Sequence, residues 1–335
     1  MIGAYPLLQV YGPVLPDFLA EAAEAPLMRR LRGVGMNCGC EYTDFPRFRE
    51  IGPYSRFDHS LGTALIVWRF TRSPAQALAG LLHDAATPVF AHVIDFLRGD
   101  YLRQEATEDG TAERISADPV LAALLHEMGL TVADVGDYHR YPIADNDAPR
   151  LSADRLEYSL GNMVNYGIRS PDRARALFED ISVLRNEEGA AELGFLHADA
   201  ALDFAEAALE CSRIYVSDED RYAMQMLAEL VRDALAAAVI SEADLRATEP
   251  ELLEKLCVDP VFASRWNSFR SMSRIRRSPE DRGGNWRQIF AKKRCIDPLI
   301  AGAGRVSAES PDFAAALAQF RAQPQDHWVL GESHI

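Results

Sequence analysis

Leu81-Leu82-His83-Asp84-Ala85-Ala86-Thr87-Pro88-Val89-Phe90-Ala91-His92-Val93-Ile94-Asp95 is the stretch whose reading decides the fold. An adjacent His-Asp pair inside an apolar helix is unusual, because Asp is a poor helix-interior residue and costly to bury without a compensating cation. A divalent ion would supply that cation. Upstream, Ser55-Arg56-Phe57-Asp58-His59 leads into another apolar segment (Leu61, Ala64, Leu65, Val67, Trp68), so the pattern predicts His59 facing His83 across a helix pair. Downstream, Ser152-Ala153-Asp154-Arg155 places Asp154 in the first turn of a later helix. His59, His83, Asp84 and Asp154 form a mixed N/O set suited to one divalent first-row ion, whether Mn, Fe, Ni or Zn, with positions left for water and substrate. An ion so held lowers the pKa of a bound water and polarises a phosphoryl oxygen.

Helix punctuation around these residues is legible. Ser73-Pro74 reads as an N-cap followed by proline at the first helical position, opening a helix that ends in His83-Asp84. Pro88 is read as starting the next helix, which closes at Gly99; Asp118-Pro119, Ser152 and Ser170-Pro171 open three more. Asp17 to Arg32 has helical apolar spacing interrupted at Pro26, and Leu196 to Val216 and Asp218 to Ile240 are long, alanine-rich and amphipathic. No alternating strand is evident in the first 250 residues. Around Gly283-Gly284, Trp286 and Ile289 the pattern changes and predicts a short β-hairpin within 282–299, and the residues from Gln323 read as a tail. The expected architecture is therefore all-α: a helical core over 1–186 and a helical C-terminal subdomain over 187–335 packed on it.

Composition sets the outer limits. The chain has 335 residues, 48% of them hydrophobic, enough for a sizeable core. Five scattered cysteines, an odd number, predict free thiols in a reducing compartment. The first residues lack a basic start before an apolar run, and no apolar stretch reaches the roughly 18 residues of a membrane span; a cytoplasmic protein without a membrane partner is expected. A net charge of −15 argues against general nucleic-acid affinity. The segment from Arg265 to Arg294 reverses that sign, with ten basic residues against two acids, and predicts an anion-facing surface.

The pattern His59, His83-Asp84, Asp154 resembles the HD-domain metal-dependent phosphohydrolase superfamily. The flanks Ser55 to Gly62 and Pro88 to Asp95 are similar to the branch containing the deoxynucleoside triphosphate triphosphohydrolases, over roughly Val10 to Gly167. The resemblance implies an HD-domain helical core, hydrolysis of a phosphate ester or nucleotide by metal-activated water, a phosphorylated small molecule or nucleotide as partner, and a homo-oligomer such as a dimer. His92 and Asp95 share a helix face at i, i+3, where Asp95 can orient the imidazole for proton transfer; the matching pair in that branch is implicated in catalysis. Arg56 and Arg155 are placed to fork a phosphate, and the resemblance adds Tyr158 beside the sugar. Thr87 and Thr107 stand where the branch has histidines, Met36 where it has a glutamine, and Asn162 where it has an acid. Those departures bear on specificity more than on the metal. Two other readings stay open: a nucleotide-binding regulatory protein with little turnover, and a di-iron oxygenase on the same scaffold, for which His126 and His139 would be the extra ligands. The regular apolar face around His126 favours an ordinary helix-surface histidine.

Overall fold

The computed structural model describes residues 5–99 and 110–333. The capping signals give helices where the sequence places them. Ser55 accepts from the Asp58 amide while the Asp58 carboxylate accepts from the Ser55 amide, a reciprocal box that opens helix Arg56–Thr71. Ser73 and Pro74 open Pro74–Leu82, which ends with His83 as its C-cap. The two helices pack closely because Gly80 has no side chain: a Cβ there would lie 3.2 Å from Val67 Cγ2. Ser152 opens Ala153–Asn165, which crosses Arg56–Thr71 and completes a three-helix frame around the His-Asp stretch.

After His83 the chain departs from the expected course. Pro88 does not begin a helix. Residues 83–92 form consecutive turns in which Phe90 and Ala91 adopt positive φ angles of 57° and 46°, and the Val89 amide is held by the Leu245 carbonyl. The helix that follows is Val93–Arg98, with His92 as its N-cap and Gly99 closing it at φ 76°.

The fold is mostly helical but not all-α. Among the described residues six strands, β1 (Ile181–Arg185), β2 (Ala191–Phe195), β3 (Met272–Ser278), β4 (Arg287–Gln288), β5 (Leu299–Ile300) and β6 (Trp328–Ser333), form two small sheets. The first has the order β1-β2-β5, with β1 antiparallel and β5 parallel to β2; the second has β6 between β3 and β4, antiparallel to both. Asn186 makes the β1–β2 turn, its side-chain oxygen accepting from the Glu188 and Ala190 amides, and Gly189 supplies φ 78°. The predicted hairpin within 282–299 does not form, since β4 and β5 each pair with a distant strand. The predicted tail is instead the central strand of the second sheet.

Among the described residues two apolar clusters make the core. One joins the N-terminal helices and the three-helix frame to Ala198–Tyr215 and Pro311–Ala322; the other packs Val89 to Phe96 against Asp218–Ala236, Pro260–Arg270 and Val329. The His-Asp stretch lies where these clusters meet. The division expected at 186/187 falls in the β1–β2 turn, and both clusters draw residues from either side of it. Among the described residues no helix is long and apolar enough to cross a membrane.

Candidate metal centre

His59, His83 and Asp154 each present one ligand atom to a common point, all within 4.8 Å of one another. His59 Nε2 lies 3.1 Å from His83 Nε2 and 3.0 Å from Asp154 Oδ1, and His83 Nε2 lies 3.6 Å from the same oxygen. The far side of each ring is committed. His83 Nδ1 is 2.8 Å from the Gly80 carbonyl, which can only accept, so this nitrogen carries the proton and a neutral His83 turns a bare Nε2 lone pair inward. His59 Nδ1 is 2.6 Å from Glu157 Oε2. Carbonyl and carboxylate acceptors behind Nδ1 are the arrangement that orients metal-ligating histidines. The inward His83 lone pair, His59 Nε2 and the Asp154 carboxylate fit a divalent ion, which would take the place of the proton that His59 otherwise shares with Asp154.

Asp84 stands at the edge of this group, with Oδ2 3.7 Å from His83 Nε2 and 4.0 Å from His59 Nε2. Its oxygens have protein donors as well: Arg56 Nη1 at 3.0 Å on Oδ2 and the Thr87 hydroxyl at 2.8 Å on Oδ1. Burial raises a carboxyl pKa, but Arg56 and the two imidazoles outweigh it and hold Asp84 well below the usual range. Asp154 is depressed too, burial being overcome by His59, His83 and Arg155. On the His59 ring burial disfavours the proton, while hydrogen bonds to Asp154 and Glu157 prevail and carry it up to about 10.

These residues floor a cavity of about 440 Å³. His92 is on its wall, with Nδ1 2.9 Å from Asp95 Oδ2; Asp95 is wholly buried, and burial lowers the His92 pKa more than Asp95 restores it. Arg56 lines the cavity, but its Nη1 is engaged by Asp84. Arg155 also lines it, with Nη1 3.1 Å from Asp145 and 2.9 Å from Asn146. Tyr158 lies with its ring 6.5 Å from that of His59, its hydroxyl pushed up to about 12 by burial. Of the basic segment, Lys292 and Arg294 reach the cavity, while Arg274, Arg276 and Arg277 pair with Glu332 and Asp218 elsewhere. His126 is exposed, and His139 sits at the cavity edge beside Asp137 and Asp145. Thr107 lies outside the described residues.

Sequence reasoning missed several groups here. Glu157, behind His59, is fully buried and three residues after Asp154, so its i, i+3 spacing on one helix face was a usable signal. Tyr138, whose ring is 4.9 Å from that of His83, and Asp220, which also lines the cavity, carried no local signal.

No protein-family model matches the chain. It is 26% identical over 210 residues to the uncharacterized protein YdhJ of Bacillus subtilis, covering 60% of this chain and 61% of that protein. It is 26% identical over 214 residues to the metal-dependent phosphohydrolase cns2 of Cordyceps militaris, covering 63% and 58%. The chain thus matches about three-fifths of the length of these curated relatives. Among solved structures, a phosphohydrolase from Bacteroides thetaiotaomicron aligns with TM-score 0.65 at 15% identity, over 96% of this chain and 97% of that one. A hypothetical protein from Aquifex aeolicus aligns with TM-score 0.61 at 16% identity, over 95% and 93%. The fold is that of these proteins, and the His-His-Asp cluster suits a metal ion.

Proposed function

We propose that this chain is an HD-type metal-dependent phosphohydrolase acting on a phosphorylated small molecule or nucleotide. One observation carries the reading: His59 Nε2, His83 Nε2 and Asp154 Oδ1 converge at the floor of a cavity whose wall includes Arg155, Lys292 and Arg294. A divalent ion held there supplies Lewis acidity toward a phosphoryl oxygen and an acidified water. The chain's residues supply the rest. The cationic side chains attract and orient the phosphate. Asp95 fixes the His92 ring through Nδ1, leaving Nε2 for a proton at the attacking water or leaving oxygen. Asp84, held by Arg56 and Thr87, keeps a second carboxylate beside the two imidazoles. The name of the Cordyceps relative and that of the Bacteroides structure support the reading. The test is phosphate release from a panel of nucleotides and sugar phosphates with added Mn²⁺. Turnover by the wild type that is lost in Asp154→Ala supports it; a metal-loaded wild type that releases no phosphate from any of them contradicts it.

A further inference from the structure

We infer that Glu157 is a positioning residue whose carboxylate fixes the His59 tautomer and thereby sets the affinity of the centre for its ion. The inference rests on the metal reading above and goes beyond it in assigning a residue that touches neither ion nor substrate.

Glu157 is fully buried, one helical turn beyond Asp154. Its Oε2 is 2.6 Å from His59 Nδ1 and accepts from the Tyr54 hydroxyl at 2.5 Å. The Tyr54 ring stacks on Tyr5, centroids 4.6 Å apart and planes within 8°, so the acceptor oxygen is itself held. Room for this arrangement comes from two glycines. A Cβ at Gly62 would lie 2.7 Å from Glu157 Cγ, and one at Gly161 would lie 2.5 Å from the Tyr54 hydroxyl. A buried carboxylate is expensive unless its partners repay it, and a structural role alone would be met more cheaply by an apolar side chain. The placement instead serves the ring. With Nδ1–H given to Glu157, His59 Nε2 faces His83 Nε2 and Asp154 Oδ1 and is the nitrogen that would offer its lone pair to an ion held there. The carboxylate also makes that nitrogen a stronger donor to a cation.

Mn²⁺ affinity, measured by calorimetry on the full chain, tests this. Glu157→Gln keeps the shape and removes the charge, and is expected to bind Mn²⁺ about 10- to 100-fold more weakly. Its ¹⁵N-edited spectrum should show a weakened His59 Nδ1–H hydrogen bond, because a neutral amide oxygen accepts less strongly than the carboxylate. Gly62→Ala provides a second variant that leaves Glu157 in the sequence but displaces it; it too should weaken Mn²⁺ binding, although alanine favours the helix. A folded Glu157→Gln protein with wild-type Mn²⁺ affinity and an unchanged His59 Nδ1–H resonance overturns the inference. Should that variant not fold, wild-type affinity in Gly62→Ala overturns it instead. A wild type that binds no Mn²⁺ defeats the metal reading itself, which separates the two failures.

Discussion

Arg56 Nη1 donates to Asp84 Oδ2 at 3.0 Å, and both side chains are about nine-tenths buried, at 8% exposure each. A buried pair of this kind is best judged by what remains when one partner goes. Removing the guanidinium leaves a carboxylate in a low-dielectric site with the Thr87 hydroxyl as its neutral partner. Arg56→Ala should therefore lower unfolding free energy in metal-free protein by about 3–5 kcal/mol. Because Asp84 borders the His-His-Asp cluster, added Mn²⁺ should restore more stability to Arg56→Ala than it adds to the wild type. Denaturant titrations with and without the ion check this, and equal metal effects in the two proteins would contradict it.

Burial, helped by the charges of Arg294 and Arg56, lowers the His92 pKa from its ordinary value despite the opposing hydrogen bond to Asp95, and so favours the neutral ring near pH 7. A neutral imidazole can take a proton from water, and that ability is lost as pH falls through its depressed pKa. The acid limb of the rate profile should accordingly lie below about pH 6.5, the ordinary histidine value. His92→Ala should cost about 10²–10⁴-fold in kcat, remove that limb and leave metal content unchanged. Full activity in the variant, or loss of its metal, would contradict the assignment.

Asp220, on the cavity wall, has its carboxyl raised to about 8 by burial, which hydrogen bonding to the Cys40 thiol and the charge of Arg221 only partly offset. Folding therefore favours the protonated acid. Its favourable contribution is complete below the unfolded carboxyl value and is lost as pH rises through the window up to about 8. Asp220→Asn mimics the protonated form, so it should gain stability relative to wild type as pH rises from 5 to about 8. Unfolding midpoints across that range measure the effect. A difference that does not change with pH would contradict it.

Much of the scaffold was legible because its signals are local. Ser73, Asp118, Ser152 and Ser170 cap helices where the sequence places them, each through a side-chain oxygen and a nearby amide. The convergence of His83 and Asp154 on His59 follows from helix starts that those caps define. The strands were hidden for the opposite reason. β1 and β2 are five residues each, β5 joins them from residue 299, and β6 pairs with β3 across some fifty positions, so their patterns lie below what a short window resolves. The start of the His92 helix was misplaced because Phe90 and Ala91 take positive φ, which their side chains do not advertise. Arg56 reads as a phosphate fork from its position alone; its ion pair with Asp84 is a tertiary fact.

The chemistry of this site depends on the ion. Elemental analysis of purified wild type beside His83→Ala, the variant that removes the inward Nε2 lone pair fixed by the Gly80 carbonyl, tests it most directly. The prediction is one divalent transition-metal ion per chain in the wild type and little or none in a folded His83→Ala protein. Equal metal content in the two, or none in a wild type supplied with Mn²⁺, Fe²⁺, Ni²⁺ and Zn²⁺, would contradict it.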